Sequence, residues 1–321
     1  MKRHLIILIP VFDDWAALQA LLREVDAQLA CADRTVSALV VDDASTTPPP
    51  RALFGPYVHL ARLRLLRLKT NLGHQRAIAI GLAYLHAHLP CDQIIVMDGD
   101  GEDRPQDVLT LLRQADQEAQ EQIILAERAH RRESWVFRAA YAVYRLLFRL
   151  AAGQRIRFGN FSLLPFSLLE RIVAMPDLWN NYAAALVKAR LPMRTVACDR
   201  GARLEGKSKM NLVGLVVHGL SAISVYNETF GVRALLASVL VMLVTVSLGV
   251  GAAIIRLATG LAIPGWATYA VGLSIVGLLQ AITLAVFFVF LILHNRNSLL
   301  FVPGRDYAYF VGQVMDQAAS G

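Results

Sequence analysis

Residues 4 to 130 alternate between short apolar runs and stretches in which apolar side chains recur at helical spacing. Leu5–Pro10, Val36–Val41, Leu63–Leu68 and Gln93–Met97 read as strands, and Ile123–Ala126 as a fifth. Between the first two, Trp15, Leu18, Leu21, Leu22, Val25 and Leu29 predict an amphipathic helix. A second helix opens at Gly73 and runs through Leu85, and a third follows Pro105, a residue suited to the first helical position. Strands alternating with helices imply a mostly parallel sheet covered on both faces. The chain from Lys2-Arg3 through Leu5–Val11 imitates a secretory leader. Its apolar run is short, contains Pro10 and ends in Asp13-Asp14, so a buried strand is expected instead.

The pattern changes after Arg233. Ala234 to Ile255 carries no charge and is long enough, as a helix, to cover a hydrocarbon core of about 30 Å. A second uncharged stretch, Leu257 to Leu293, is broken early by Pro264-Gly265. Its apolar part begins near Ala270, behind Trp266 and Tyr269 in the place of an interfacial belt. Two transmembrane helices are therefore expected. Arg233 before the first, and His294, Arg296 and Arg305 after the second, outweigh the single Arg256 between them. The positive-inside rule then puts both ends in the cytoplasm. Asn211 to Phe230 is apolar but polar at its ends, which suits an interfacial helix. The expected domains are residues 1–210 as a catalytic domain, 211–231 as a juxtamembrane helix, 232–296 as a two-helix membrane domain and 297–321 as a cytoplasmic tail.

Composition agrees with this division: 55% of the residues are hydrophobic and 18% charged, against about 25% charged in soluble domains. Cys31, Cys91 and Cys198 are too few and too far apart for a disulfide framework or a zinc motif, and read as inert thiols. The net charge of +7 fits nucleic acid, anionic lipid or a phosphorylated ligand. Arg138, Arg145, Arg149, Arg155 and Arg157 lie where they could meet lipid headgroups or water, and Tyr141 and Tyr144 share their helix.

Parallel sheets bind ligands at the carboxyl ends of their strands. There this chain carries Asp13-Asp14, Asp42-Asp43 and the run Asp98-Gly-Asp100-Gly-Glu102-Asp103. Such clusters repel one another unless a cation is present, and oxygen ligands without His or Cys suit Mg²⁺ or Mn²⁺ beside a phosphate. The last run imitates a calcium loop, but its twelfth position is Leu109 in place of the required Glu. The acidic strand ends and the apolar spans argue against nucleic acid as a partner. His74 reads as a cap or surface contact, within reach of a diphosphate.

Six ordered motifs carry a resemblance: Pro10-Val-Phe12, Val41-Asp-Asp-Ala-Ser45, Asn71-Leu-Gly73, Met97-Asp-Gly-Asp100 with Pro105, Gly159-Asn-Phe-Ser162 and Arg203-Leu-Glu-Gly-Lys-Ser-Lys209. Over residues 4 to 240 the chain resembles family 2 glycosyltransferases of GT-A fold, in the branch of dolichol-phosphate mannosyltransferases and bacterial polyprenyl-phosphate glycosyltransferases. The resemblance implies a Rossmann-like α/β GT-A domain that transfers a sugar, with inversion, from a UDP- or GDP-linked donor to a polyprenyl phosphate on the cytoplasmic leaflet. In a bacterium the lipid would be undecaprenyl phosphate and the site the inner membrane. It also implies roles for residues. Pro10, Phe12, Asp14, Asp42 and Asp98 would line the nucleotide pocket. Asp98, Asp100 and Glu102 would hold Mg²⁺ or Mn²⁺, while Arg128, Arg131, Arg203 and Lys209 would face phosphates. The chain departs from the pattern in Asp13-Asp14 for Asn-Glu, Glu102 for Gln and Asn160 for Asp. A polysaccharide synthase is disfavoured, because Gln154-Arg-Ile-Arg-Phe158 is not the QxxRW motif of that group. A catalytically silent membrane scaffold and a transferase using another membrane acceptor are the alternatives. Homo-oligomerisation is left open.

Overall fold

The computed structural model describes residues 2–31, 33–118, 120–128, 158–199, 201–205, 221–222, 224–259, 265–297 and 300–318. These fall into two units, a sheet domain that includes residues 300–318, and a helical unit from Tyr226 to the end of the second long helix.

The sheet domain contains β1 (Arg3–Val11), α1 (Trp15–Gln28), β2 (Arg34–Asp42), β3 (Leu60–Leu68), α2 (His74–His88), β4 (Gln93–Val96), α3 (Pro105–Gln117) and β5 (Ile123–Arg128). It continues with β6 (Phe158–Pro165), α4 (Leu169–Val173), α5 (Tyr182–Ala189) and β7 (Met193–Cys198). All five expected strands and three expected helices are present.

The sheet has eight strands in the order β7-β5-β6-β4-β1-β2-β3-β8, where β8 is Val311–Ala318. β1 pairs in parallel with both β2 and β4, so the direction of winding reverses beside β1. A sheet of this kind opens a crevice at that reversal, outside the carboxyl ends of the strands. β6 runs antiparallel to β4 and β5, and β8 antiparallel to β3. The start of β6 therefore joins the carboxyl ends of β1, β2, β4, β5 and β7 at one edge.

Side chains alternate across β1. Leu5, Ile7 and Ile9 pack with Leu18, Leu21, Leu22 and Val25 of α1 and with Val108 and Leu111 of α3. Ile6 and Leu8 pack on the opposite face with Ala77, Ile78, Leu82 and Leu85 of α2. Two fully buried apolar layers hold the edge rigid, at about 1.5–3 kcal/mol for each large side chain removed from water.

The last segment differs from expectation. Residues 297–321 were expected as a tail, yet β8 pairs with β3 from Arg62 to Leu68. Phe301 and Phe310 lie over Trp179, with ring centroids 3.9 and 5.4 Å away. Val311–Ala318 is half polar, as an edge strand with one wet side can be. That composition hides it from a search for apolar runs.

The helical unit consists of α6 (Asn227–Ala258) and α7 (Trp266–Asn297). Both are long and apolar enough to cross a membrane, and each is about nine-tenths unburied within the protein, unlike a core helix. Small residues let them approach: a Cβ on Gly231 would meet Ile292, and one on Gly249 would meet Ser274. Most of the expected juxtamembrane helix lies outside the described residues.

Candidate active site

The acidic strand ends do come together at the expected edge, but they separate into two kinds of carboxylate. The first kind pins loops. Asp13, in left-handed backbone at φ 49°, accepts the N–H groups of Thr46 and Thr47 at 2.8 and 3.1 Å. The Thr47 amide, ahead of the two threonine hydroxyls and the Thr46 amide, keeps its pKa below the usual carboxylate range against a modest desolvation. Asp43 accepts the N–H groups of Leu72 and Gly73 at 2.7 and 2.8 Å. It thereby holds the turn into α2, where Gly73 adopts φ 90°, a conformation glycine takes without strain. Burial pushes the Asp43 carboxyl above its ordinary pKa despite those bonds and the nearby His74. Asp103 accepts the Asp98 N–H at 2.9 Å. Replacing Asp43 by Ala strands two amides at a half-buried turn and is expected to cost about 2 kcal/mol of stability. A denaturation midpoint measures it, and an unchanged midpoint would show that water replaces the carboxylate.

The second kind meets side chains from other elements. Asp14 stands before α1 but makes no side-chain cap there. Its carboxylate pairs instead with Arg203, whose Nη1 also lies 3.2 Å from Asp100 Oδ2. One guanidinium thus joins carboxylates from the ends of β1 and β4. The backbone beside it is closely docked: Leu204 N–H donates to Asp100 O at 3.1 Å, and Gly201 N–H to Glu102 O at 2.8 Å. Gly101 has φ 83°, and a Cβ there would lie 2.4 Å from Leu204 Cγ. Only glycine allows that approach.

Asp98 is held differently. His74 Nε2 lies 3.0 Å from its Oδ1, and Asn160 Nδ2 3.3 Å from the same oxygen. Asn160 Nδ2 is also 2.9 Å from His74 Nε2. Desolvation opposes the imidazolium, but Asp98, with Asp103 and Asp100 behind it, outweighs that and raises the His74 pKa. A protonated Nε2 donates to Asp98, whereas an unprotonated one accepts from Asn160.

The other expected site residues are placed as follows. Pro10 is buried opposite Val41, and Phe12 beyond it is 40% exposed. Asp42 is fully buried; its Oδ1 accepts the Ser45 N–H at 2.8 Å, and Oδ2 lies 3.4 Å from Arg67 Nε. Glu102 N–H donates to Asp100 Oδ1 at 3.0 Å. Arg128 ends β5, paired with Cys198. Arg131 and Lys209 lie outside the described residues, as do Tyr141, Tyr144 and the arginines from 138 to 157. Among the described residues no three His, Cys, Asp or Glu side chains converge as a metal cage. Asp98 is turned to His74 and Asn160, and Asp100 to Arg203 and the Glu102 amide. Burial pushes the Cys91 and Cys198 thiols up to about 12 and about 11, which leaves both inert as nucleophiles near neutral pH.

Motif spacing gave no sign of Arg67 or Gln75. Asn160 was visible only as a departure from a pattern, and the two roles among the acidic residues were not visible at all.

The model of the family described as "Glycosyl transferase family 2" matches residues 6–172. The chain belongs to that family. Among curated proteins, an undecaprenyl-phosphate 4-deoxy-4-formamido-L-arabinose transferase of Edwardsiella ictaluri is 24% identical over 259 residues, covering 76% of this chain and 77% of that protein. The enzyme of the same name from Klebsiella pneumoniae is 30% identical over 112 residues, 35% of this chain. That alignment spans about one third of the Klebsiella protein, 33%. Among solved structures, glucosyl-3-phosphoglycerate synthase from Mycobacterium tuberculosis, in complex with Mn²⁺, UDP-glucose and phosphoglyceric acid, superimposes with a TM-score of 0.52. At 14% identity over 71% of this chain and 80% of that one, the likeness is one of fold. The family's glycosyl-transfer fold is thus the fold of the sheet domain.

Proposed function

We propose that this protein transfers a sugar from a nucleotide-sugar donor to a polyprenyl phosphate. The observation that carries the reading is the assembly of Asp14, Asp98 and Asp100 at the β1–β4 reversal, in a chain that also holds a hairpin long enough to span a bilayer. The named activity of the curated relatives, undecaprenyl-phosphate sugar transfer, supports the same acceptor class.

The donor chemistry suits a divalent ion, although no three of these side chains converge among the described residues. Asp98, Asp100 and Glu102 offer hard oxygen donors on one loop, and Asp100 already faces a cationic group in Arg203. When bound there, Mg²⁺ or Mn²⁺ would neutralise charge developing on the leaving diphosphate. Pro10, Phe12, Asp14 and Asp42 would receive the nucleoside. The acceptor phosphate is an anion near neutral pH and needs no general base. Its oxygen forms the new bond to the anomeric carbon as the bond to the diphosphate breaks, which inverts that centre. Arg203, with Arg128, Arg131 and Lys209, would offset the repulsion between the two phosphates; each guanidinium can take two phosphate oxygens.

Residues before α6 and after α7 belong to the same sheet. If both helices span, they cross in opposite directions and return the chain to the side of the sheet. Together with the flanking arginines this supports a cytoplasmic catalytic domain on the inner membrane. A reporter fused after Gly321 is expected to signal from the cytoplasm; a periplasmic signal would reverse the assignment.

The experiment that tests the function is a panel of UDP- and GDP-sugars offered with undecaprenyl phosphate, with products read by mass spectrometry. A lipid-phosphate sugar from at least one donor is expected. Nucleotide binding without product from any donor would favour a silent scaffold instead.

A further inference from the structure

The amides leading to Asp98 have a fixed direction. A backbone N–H can only donate, and that of Tyr182, the first residue of α5, donates to Gln75 Oε1 at 2.7 Å. The buried Gln75 side chain is therefore oriented with Nε2 toward its other neighbour, and Nε2 donates to Asn160 Oδ1 at 3.1 Å. Asn160 in turn has its Nδ2 on the opposite side, 3.3 Å from Asp98 Oδ1 and 2.9 Å from His74 Nε2. An amide side chain has no intrinsic preference between its two ends. Here a main-chain group at the start of α5 sets the choice for two successive amides.

We propose that Gln75 and Asn160 are positioning residues for Asp98: the relay from the Tyr182 N–H presents a neutral donor to Asp98 Oδ1 and holds that carboxylate at the orientation the donor site uses. This rests on the reading of Asp98 as part of the site for the donor diphosphate and its cation. Packing alone does not call for such a relay. α2, β6 and α5 are already joined by apolar contacts of Ile78, Leu82, Leu164, Leu186 and Tyr182. Burying a chain of polar groups is costly unless every link is satisfied, and this one is satisfied from Tyr182 to Asp98. It also accounts for the amide at position 160. A carboxylate there would accept from Gln75 equally well, but would turn a second acceptor toward Asp98.

The test uses the full-length protein in detergent and Mn²⁺ as the probe. Free Mn²⁺ is followed by its paramagnetic resonance signal with UDP present and, separately, with GDP. Asn160→Ala deletes the donor at a half-buried strand start and leaves Gln75 Nε2 without its acceptor; it is expected to weaken Mn²⁺–nucleotide binding about tenfold in a protein that still folds, with a somewhat lower thermal midpoint. Gln75→Glu touches Asp98 nowhere and still accepts from Tyr182. Its second oxygen faces Asn160 Oδ1 and forces that amide to turn its own oxygen toward Asp98. A loss of about tenfold is expected there too. Added negative charge alone would tighten cation binding, so a loss in Gln75→Glu reports orientation. Ser162→Ala, which removes the hydroxyl bonded to Tyr182 Oη at 2.6 Å, should lower the thermal midpoint and leave Mn²⁺ binding within twofold.

Wild-type Mn²⁺ affinity in both folded variants would overturn the positioning role and leave the transferase reading standing. If Gln75→Glu does not fold, Asn160→Ala decides alone. Absence of Mn²⁺ uptake by the wild-type protein with either nucleotide would overturn the donor-site reading and this inference with it.

Discussion

Asp100→Asn should lower sugar transfer by a factor on the order of a hundred to a thousand while the protein remains folded. The substitution keeps the volume of the side chain and an oxygen for the Glu102 N–H, which Asp100 Oδ1 accepts at 3.0 Å. It removes the charge that a divalent ion would meet and that Arg203 now meets at 3.2 Å. Losing one preorganised electrostatic partner of a developing charge typically costs a factor of that size. Arg203 retains Asp14, so the guanidinium is not left without a counter-charge and the thermal midpoint should move little. EDTA should abolish turnover in the unmodified enzyme. Rates with donor and undecaprenyl phosphate measure both effects. Full activity of Asp100→Asn, or of the wild type in EDTA, would remove metal from the mechanism.

Ending the chain at Tyr226 should unfold the sheet domain rather than release a soluble catalytic fragment. Such a chain lacks β8, the strand that covers the β3 edge. Lys69 N–H would lose Phe310 O, which it meets at 2.9 Å. Arg64 would lose Asp316, His88 would lose the Tyr307 hydroxyl at 2.9 Å, and Trp179 would lose both phenylalanines packed against it. Two partly buried aromatic side chains and a strand ladder together amount to roughly 5 kcal/mol, against a total of about 5–15 kcal/mol for a typical domain. A chain in which a long Gly/Ser linker replaces residues 226–299 and residues 300–318 are kept should melt cooperatively and bind nucleotide. Its transfer to a long-chain acceptor should fall sharply. Calorimetry and nucleotide titration distinguish the two chains. A stable fragment ending at Tyr226 would show that β8 is dispensable.

Asp100 was reachable from sequence because a DxD run directly after an apolar strand must lie at a carboxyl edge. The partnership of Asp100 with Arg203 and Asp14 was not, since Arg203 lies 103 positions from Asp100 and 189 from Asp14. β8 escaped for a different reason. An edge strand with a wet face needs few apolar residues, so Val311–Ala318 carries little pattern of its own. β7, the strand at the opposite edge, is buried only at Cys198 and was not anticipated.

The sequence by itself determined what depends on local periodicity and composition: five buried strands, three covering helices, two long apolar helices and the acidic residues at the strand ends. Each follows from short-range backbone geometry and the exclusion of apolar surface from water. Only the tertiary structure decided which carboxylate does what. Asp13, Asp43 and Asp103 are taken up by backbone amides, while Asp14, Asp98 and Asp100 meet side chains from α2, β6 and the loop after β7. Hydrogen-bond donors are assigned by distance in space, and a run of aspartates along a chain carries no record of which amide, guanidinium or imidazole the fold will bring within 3 Å of each.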